Sequence, residues 1–400
     1  MTAQRLSPPG TILDLDGAVP YDGRDAVGSY VVSTADGRHL RVSTTGLYLL
    51  RAARDGTPMR RITEQLATPA GEVLSAAEVE DAYLRLLGQI HRTLEAKART
   101  RIGMWGKVPL IPERVVGLVA TRLSRAFDPA PALVAITLAA SALAAGLLTP
   151  ARGAIHGTAV LYGYLLFVVT LFAHEFGHAA AAVHGGVRPR RVGFVIYLVW
   201  PAFYSDVSES WRLSRRARVV IDLGGVYFQL VATGAAAAGY AATGWRPLWV
   251  AVLFSLAGCL ANLNPFFRFD GYWLLGDALG VDSMHKQGRL ALSRLVRRRG
   301  GGVTDYVLAV YIAVTWSIWT AFAAWIVSGA YRRLLSLPAQ LHELMSGHDA
   351  TAGGLRNAAL SVAVLVMIAV LVVRAGRIAV AMTARAVTRF RREVSEVEQP

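Results

Sequence analysis

The sequence predicts a mainly α fold, a polytopic membrane helix bundle of about six transmembrane helices preceded by a small α+β, winged-helix-like domain. Three observations predict it. Hydrophobic residues make up 54% of the 400 positions and charged residues only 17%, a balance foreign to soluble proteins of this size. The hydrophobicity falls in six blocks, 131–148, 158–183, 219–242, 247–263, 306–330 and 358–373. Each is near the roughly 20 residues needed to cross about 30 Å of hydrocarbon, the last being the shortest. The first 95 residues, by contrast, are polar and carry 10 Lys/Arg against 12 Asp/Glu.

Within residues 1–95, a strand is expected near Tyr30-Val31-Val32, a turn at Asp36-Gly37 and a second strand at His39 to Val42. Ser43-Thr44-Thr45 can cap a helix over Leu47 to Ala53. Thr57-Pro58 can open another with Ile62 and Leu66 on one face, and Ser75 starts a run bearing Val79, Tyr83, Leu86, Leu87 and Ile90. Residues 96–127 read as a basic juxtamembrane connector. Residues 128–373 form the transmembrane domain, and 374–400 a basic amphipathic tail suited to an inner leaflet.

The net charge of +15 invites a nucleic-acid reading, but the N-terminal domain is slightly acidic and the excess belongs to the membrane part. Arg188, Arg190, Arg191, Arg212, Arg215, Arg216, Arg218, Arg268 and Arg297 to Arg299 fall on one side of the expected spans, and few basic residues fall on the other. This is the positive-inside pattern, so a multi-pass cell-membrane protein is expected, with lipid bilayer and no nucleic acid as partners. No apolar core of signal-peptide length occurs in the first hundred residues, so both termini are expected in the cytoplasm.

The chemistry concentrates in "LFAHEFGHAAAAV". His174 and His178 are four apart, so on a helix both imidazoles leave one face and can grip one zinc ion. Glu175 beside them can take a proton from an activated water and hand it to a leaving amine. Ionisable groups inside a membrane helix are costly, which marks this cluster as functional. Two interfacial histidines would leave the intervening glutamate unexplained. Cys259, the single cysteine, lies in an apolar block, so a thiolate metal site is excluded. His184 stands where metzincin proteases carry a third histidine, but Ala181 occupies the position where that pattern needs glycine. Asp222, opening "RVVIDLGGVYFQL", reads as an entry residue near the cytoplasmic rim, and Gly224-Gly225 suit close helix contact.

A second segment, "CLANLNPFFRFDGYWLLGD", carries Asn262, Pro265, Asp270 and Gly271. With HExxH it resembles the site-2 protease family over about 158–275. The resemblance implies an intramembrane zinc endopeptidase in which Asp270 is the third zinc ligand and Asn262 orients substrate or supports the oxyanion. Pro265 cannot continue helical hydrogen bonding, which lets the chain turn and present Asp270. Counting helical rise places His174 and Asn262 at similar depth in the inner half of the bilayer. "VGFVIYLVWPAFYSDVSESW" resembles the re-entrant or edge-strand segment with which that family holds extended substrate, making Tyr204 and Asp206 substrate-binding candidates together with Pro265. A plain interfacial hairpin fits that segment as well.

The order of elements in residues 20–95 resembles the PqqD-like family, which implies capture of a leader peptide as an added strand. The PDZ-like insert common among site-2 proteases is absent. Leader removal or maturation of a ribosomally made peptide is therefore expected, with a precursor peptide as partner. Cleavage of a membrane-bound anti-sigma factor is the alternative within enzymes. A peptide exporter or immunity protein with a vestigial metal site is the alternative outside them.

Overall fold

The structure, a computed structural model, describes residues 13–23, 28–34, 39–66, 74–99, 104–149, 157–197, 200–281, 283–298, 301–345 and 361–362. The chain divides into two compact units, Met1–Leu290 and Ala291–Pro400.

The first unit opens with an antiparallel sheet in the order β1-β2-β3, formed by Leu13–Pro20, Ser29–Thr34 and His39–Ser43. β2 and β3 form the expected hairpin, Val31 opposite Arg41 and Val32 opposite Leu40. β1 was not anticipated. Its signal is the alternation Leu13-Asp14-Leu15-Asp16, and Leu15 is buried in the core. Helices α1 (Thr44–Arg54), α2 (Met59–Gln65) and α3 (Ala76–Arg99) follow. Ser43 caps α1, its hydroxyl accepting from the Gly46 N–H at 3.0 Å. Ser75 and Glu78 make a capping box at α3: Glu78 accepts from the Ser75 N–H at 2.8 Å, and Ser75 Oγ from the Glu78 N–H at 3.3 Å. Val32, Leu50, Ile62, Val79, Tyr83 and Ile90 close one core beneath the sheet.

The stretch expected as a connector carries regular structure of its own. β4 (Met104–Ile111) joins β5 (Val192–Tyr197) and β6 (Trp200–Ser205) in a second antiparallel sheet, order β4-β5-β6, and α4 spans Glu113–Leu123. The pairing of β4 with β5 bridges residues distant in sequence, which no local pattern around Lys107 discloses. β5 and β6 are a hairpin, and β6 forms an edge of the sheet. The segment expected to be re-entrant or edge-strand is thus an edge-strand hairpin.

Among the described residues four helices are long and apolar enough to cross a membrane: α5 (Pro129–Leu148), α6 (Gly157–His184), α7 (Arg215–Thr243) and, in the second unit, the Val303–Gly329 part of α11 (Val303–Met345). The expected span at 247–263 is α8, Arg246–Asn262, whose 17 residues give about 26 Å of helix, short of about 30 Å of hydrocarbon. The expected span at 358–373 lies outside the described residues apart from 361–362, as does the tail from 374. Among the described residues, then, four of the six expected spans are long and apolar enough to cross, and a fifth is a shorter apolar helix. After α8 come α9 (Asp270–Leu279) and α10 (Met284–Val296).

Contacts between α6 and its neighbours α7 and α8 fix the bundle around the site. Gly177 on α6 meets Gly224 on α7 so closely that a Cβ on either would run into the other's backbone, an approach that only small residues permit where lipid supplies no hydrophobic drive. His178 sits beside Ile221 and His174 beside Gln229, so α6 and α7 are antiparallel. Thr170 Oγ1 lies 2.9 Å from Ser255 Oγ, and Gly163 packs on Val250, so α6 and α8 run parallel, as the depth count required.

Candidate metal centre

α6 is apolar over most of its length and becomes small-residued after His178, with Ala179 to Ala182 fully buried. Its i, i+4 spacing puts His174 and His178 on one face, and both are buried with Glu175. The two Nε2 atoms stand 3.1 Å apart. Asp270, the first residue of α9, brings Oδ2 to 2.9 Å from His174 Nε2 and Oδ1 to 3.5 Å from His178 Nε2. One ligand atom from each of the three residues lies within 4.8 Å of the others.

These separations suit a metal. Ligand nitrogens and oxygens about 2.0–2.1 Å from a tetrahedral zinc ion stand roughly 3.3 Å from one another. The donor set, two imidazoles and one carboxylate, is a borderline-soft nitrogen and oxygen set with room for a water, as catalytic zinc uses.

Each histidine is oriented from behind. The His174 Nδ1–H donates to Gln229 Oε1 at 3.0 Å, and the His178 Nδ1–H to the Ile221 carbonyl at 2.7 Å. A carbonyl can only accept, so the proton sits on Nδ1 and each Nε2 lone pair is free to face the centre. Gln229 is completely buried, and its main-chain carbonyl accepts from Thr233 Oγ1. Sequence reasoning missed Gln229. A fully apolar turn of α7 interrupted by one glutamine was the available signal.

α7 reaches the centre because Gly225 has no side chain. A Cβ there would press on His178 Nε2 and stand 2.6 Å from His174 Nε2. Gly271 serves the other half of the site. A Cβ at that position would strike the Leu263 carbonyl, so the Asp-Gly pair is what lets α9 begin against the end of α8. The intervening turn is held by Asn264 Oδ1, which accepts from the Phe266 N–H at 2.9 Å.

A cavity of about 330 Å³ opens onto the group, lined by Glu175, His178 and Asp270 at the metal end. Its walls come from Phe203, Tyr204 and Ser205 on β6, from Ser208, Ser210 and Trp211 in the 3-10 turn after it, and from Arg218, Asp222, Trp273 and Asp277. Phe203 also packs against Phe172 of α6 with the rings tilted, centroids 4.3 Å apart, which ties the strand to the helix that carries His174 and His178. Of the substrate-binding candidates, Tyr204 is on the wall. Asp206 is spent instead on its own turn, accepting from Ser208 Oγ at 2.6 Å. Asn262 ends α8, and neither it nor Pro265 is on the cavity wall. His184 lies apart from the centre, 3.7 Å from Asp128. Asp222, expected as an entry residue, lines the cavity.

No protein-family model matches the chain, and no solved structure matches it. A 135-residue stretch is 28% identical to a Bacillus subtilis (strain 168) protein named "Putative peptide zinc metalloprotease protein YydH", covering 31% of this chain and 53% of that one. The chain thus spans about half the length of this curated relative.

Proposed function

We propose that the protein is an integral-membrane zinc endopeptidase of the site-2 protease type, with His174, His178 and Asp270 as zinc ligands and Glu175 as general base. The observation that carries the reading is the convergence of three ligand atoms at the floor of a cavity that Glu175 also lines. The name of the Bacillus relative agrees with it. Zinc held there would supply Lewis acidity, making water a usable nucleophile and polarising the peptide carbonyl.

The chain's own residues supply the rest. Gln229 and the Ile221 carbonyl keep both imidazoles in the tautomer that offers Nε2. Glu175 accepts the proton of the attacking water and returns it to the departing amine nitrogen, so that hydrolysis leaves one carboxylate and one amine. An extended peptide can add to the outer edge of β6, main chain to main chain, with its side chains alternating between the Phe203–Ser205 wall and the opposite face. Asn262 would act on the reacting carbonyl only if substrate draws the end of α8 inward.

The substrate in this reading is a ribosomally made precursor peptide, cut near the cytoplasmic half of the bilayer and selected by the PqqD-like domain of residues 1–95. Both termini are cytoplasmic. Support for selection by the N-terminal domain comes from its sheet, whose β2-β3 hairpin and following helices have the order that family uses. The test is zinc content of purified protein, followed by co-expression with a short open reading frame from the same locus and mass analysis of its product. About one zinc per chain is expected, reduced in His174→Ala and Asp270→Ala, with a shortened product that disappears in both. Full zinc in Asp270→Ala would refute the third ligand. Unchanged product after deletion of residues 1–95 would remove the recognition role.

A further inference from the structure

The N-terminal sheet meets the helix bundle at the rim of the cavity, through a few charged groups. Asp22, just beyond β1, places Oδ2 2.8 Å from the backbone N–H of Arg215 and Oδ1 3.4 Å from Arg215 Nε. Arg215 is the first residue of α7. The helix already has a cap of its own, since Ser214 Oγ accepts from the Ala217 N–H, so Asp22 satisfies a different orphan donor from across the seam. A carboxylate is favoured at that end of a helix dipole. Arg212 adds a bond from Nη2 to the Gly17 carbonyl at 3.4 Å.

One turn into α7, Arg218 gathers three elements on one guanidinium. Nε donates to Asp277 Oδ1 at 2.7 Å on α9, Nη1 to the Leu213 carbonyl at 2.9 Å, and Nη2 to the Asp22 carbonyl at 3.2 Å. The side chain is 3% exposed. Its cation faces the Tyr21 ring at 5.7 Å and the Trp211 ring at 5.8 Å, and Tyr21 is itself buried. Trp211, Arg218 and Asp277 all line the cavity, and α9 starts at Asp270. The fork of a guanidinium can serve three acceptors in divergent directions, which a lysine ammonium on one stem cannot do at these positions.

We infer that Arg218 is a positioning residue through which the seat of the N-terminal domain sets the outer wall of the catalytic cavity. While Tyr21 and Asp22 are docked, Arg218 holds the Trp211 turn and α9 together. When they leave, it loses an acceptor and a ring, and the wall bearing Ser208, Ser210 and Trp211 loosens. Peptide held on the N-terminal sheet would thereby be felt at the place of cutting. This meaning rests on the protease reading, but the coupling can be read without any substrate.

The experiment uses the full chain, zinc-loaded in detergent, with Cys259→Ser and a reporter thiol, Ser210→Cys, on the cavity wall. A charged methanethiosulfonate measures its accessibility. Asp22→Arg sets like charges face to face at the start of α7, and is expected to raise the labelling rate by roughly tenfold or more. Asp22→Arg combined with Arg215→Asp should return the rate toward that of the parent. Arg218→Lys keeps a charge opposite Asp277 but not the fork, and should give the same rise as Asp22→Arg. Zinc content should be the same in all. An unmoved rate in Asp22→Arg or in Arg218→Lys overturns the proposal, as does a rise that the charge swap fails to reverse. The expected pattern in a protein that hydrolyses no peptide would overturn the protease reading and leave the coupling intact.

Discussion

Gly225→Ala probes the centre without touching a ligand. In the structure a Cβ at this position stands 2.6 Å from His174 Nε2 and closer still to His178 Nε2. An ordinary carbon–nitrogen contact needs about 3.5 Å, so at least roughly 0.9 Å, and more at His178, must come from rotation of the imidazoles or retreat of α7. Retreat is opposed by the backbone contact of Gly177 with Gly224 and by the bonds that His174 and His178 make to α7. Zinc sites accept ligand displacements of only about 0.2 Å, so a shift several times larger should disperse the three donors. The folding cost should be that of overpacking, about 1–3 kcal/mol. The loss of zinc affinity should be at least the roughly 10- to 100-fold seen when supporting partners are removed. Zinc competition against a graded chelator, with thermal unfolding of the metal-free protein in parallel, separates the two effects. Gly239→Ala, further along α7, is the control, because its Cβ would meet the movable Leu248 Cδ1 at 3.1 Å. Wild-type zinc affinity in a folded Gly225→Ala protein would refute the placement of the metal between α6 and α7.

Gln229→Leu should keep the fold and lower zinc affinity by about 10- to 100-fold, because the His174 Nδ1–H loses its buried acceptor; equal chelator competition would deny the glutamine that role. Glu175→Gln should retain zinc and lose about 10²- to 10⁴-fold in hydrolysis, since an amide cannot accept the water proton; normal cleavage with normal zinc would show that Glu175 is not the base. Arg218→Met strands the Asp277 carboxyl, which burial already pushes up against the pull of Arg218, and should cost about 3–5 kcal/mol. Arg218→Met with Asp277→Leu should recover much of that in thermal unfolding, and a strictly additive loss would mean that the pair is not coupled.

Much of the site was legible in the residues because it depends on local periodicity. A helix of 3.6 residues per turn obliges His174 and His178 to share a face wherever the helix is placed, and the apolar run around them obliges it to be long. The capping box at Ser75 and Glu78 and the β2-β3 hairpin were readable for the same reason: both are short-range geometry. Asp270 was indicated by its motif beside Pro265 and Gly271, not by spacing, and the structure gives the motif a cause in the contact of Gly271 with the Leu263 carbonyl.

What tertiary structure alone decided lies where elements distant in the chain meet. Gln229 and the Ile221 carbonyl support the histidines only because the glycines of α6 and α7 let two antiparallel helices touch, and a backbone carbonyl has no sequence signature at all. The basic stretch around Lys107 became a strand because β5 offered it an edge, and hydrogen bonding between strands follows pairing, not composition. Arg218 read as one more positive charge on the inner side. Its burial between Asp277, Leu213 and Asp22 emerged from three-dimensional packing, because an ion pair is defined by distance in space and a charge pattern records only position along the chain.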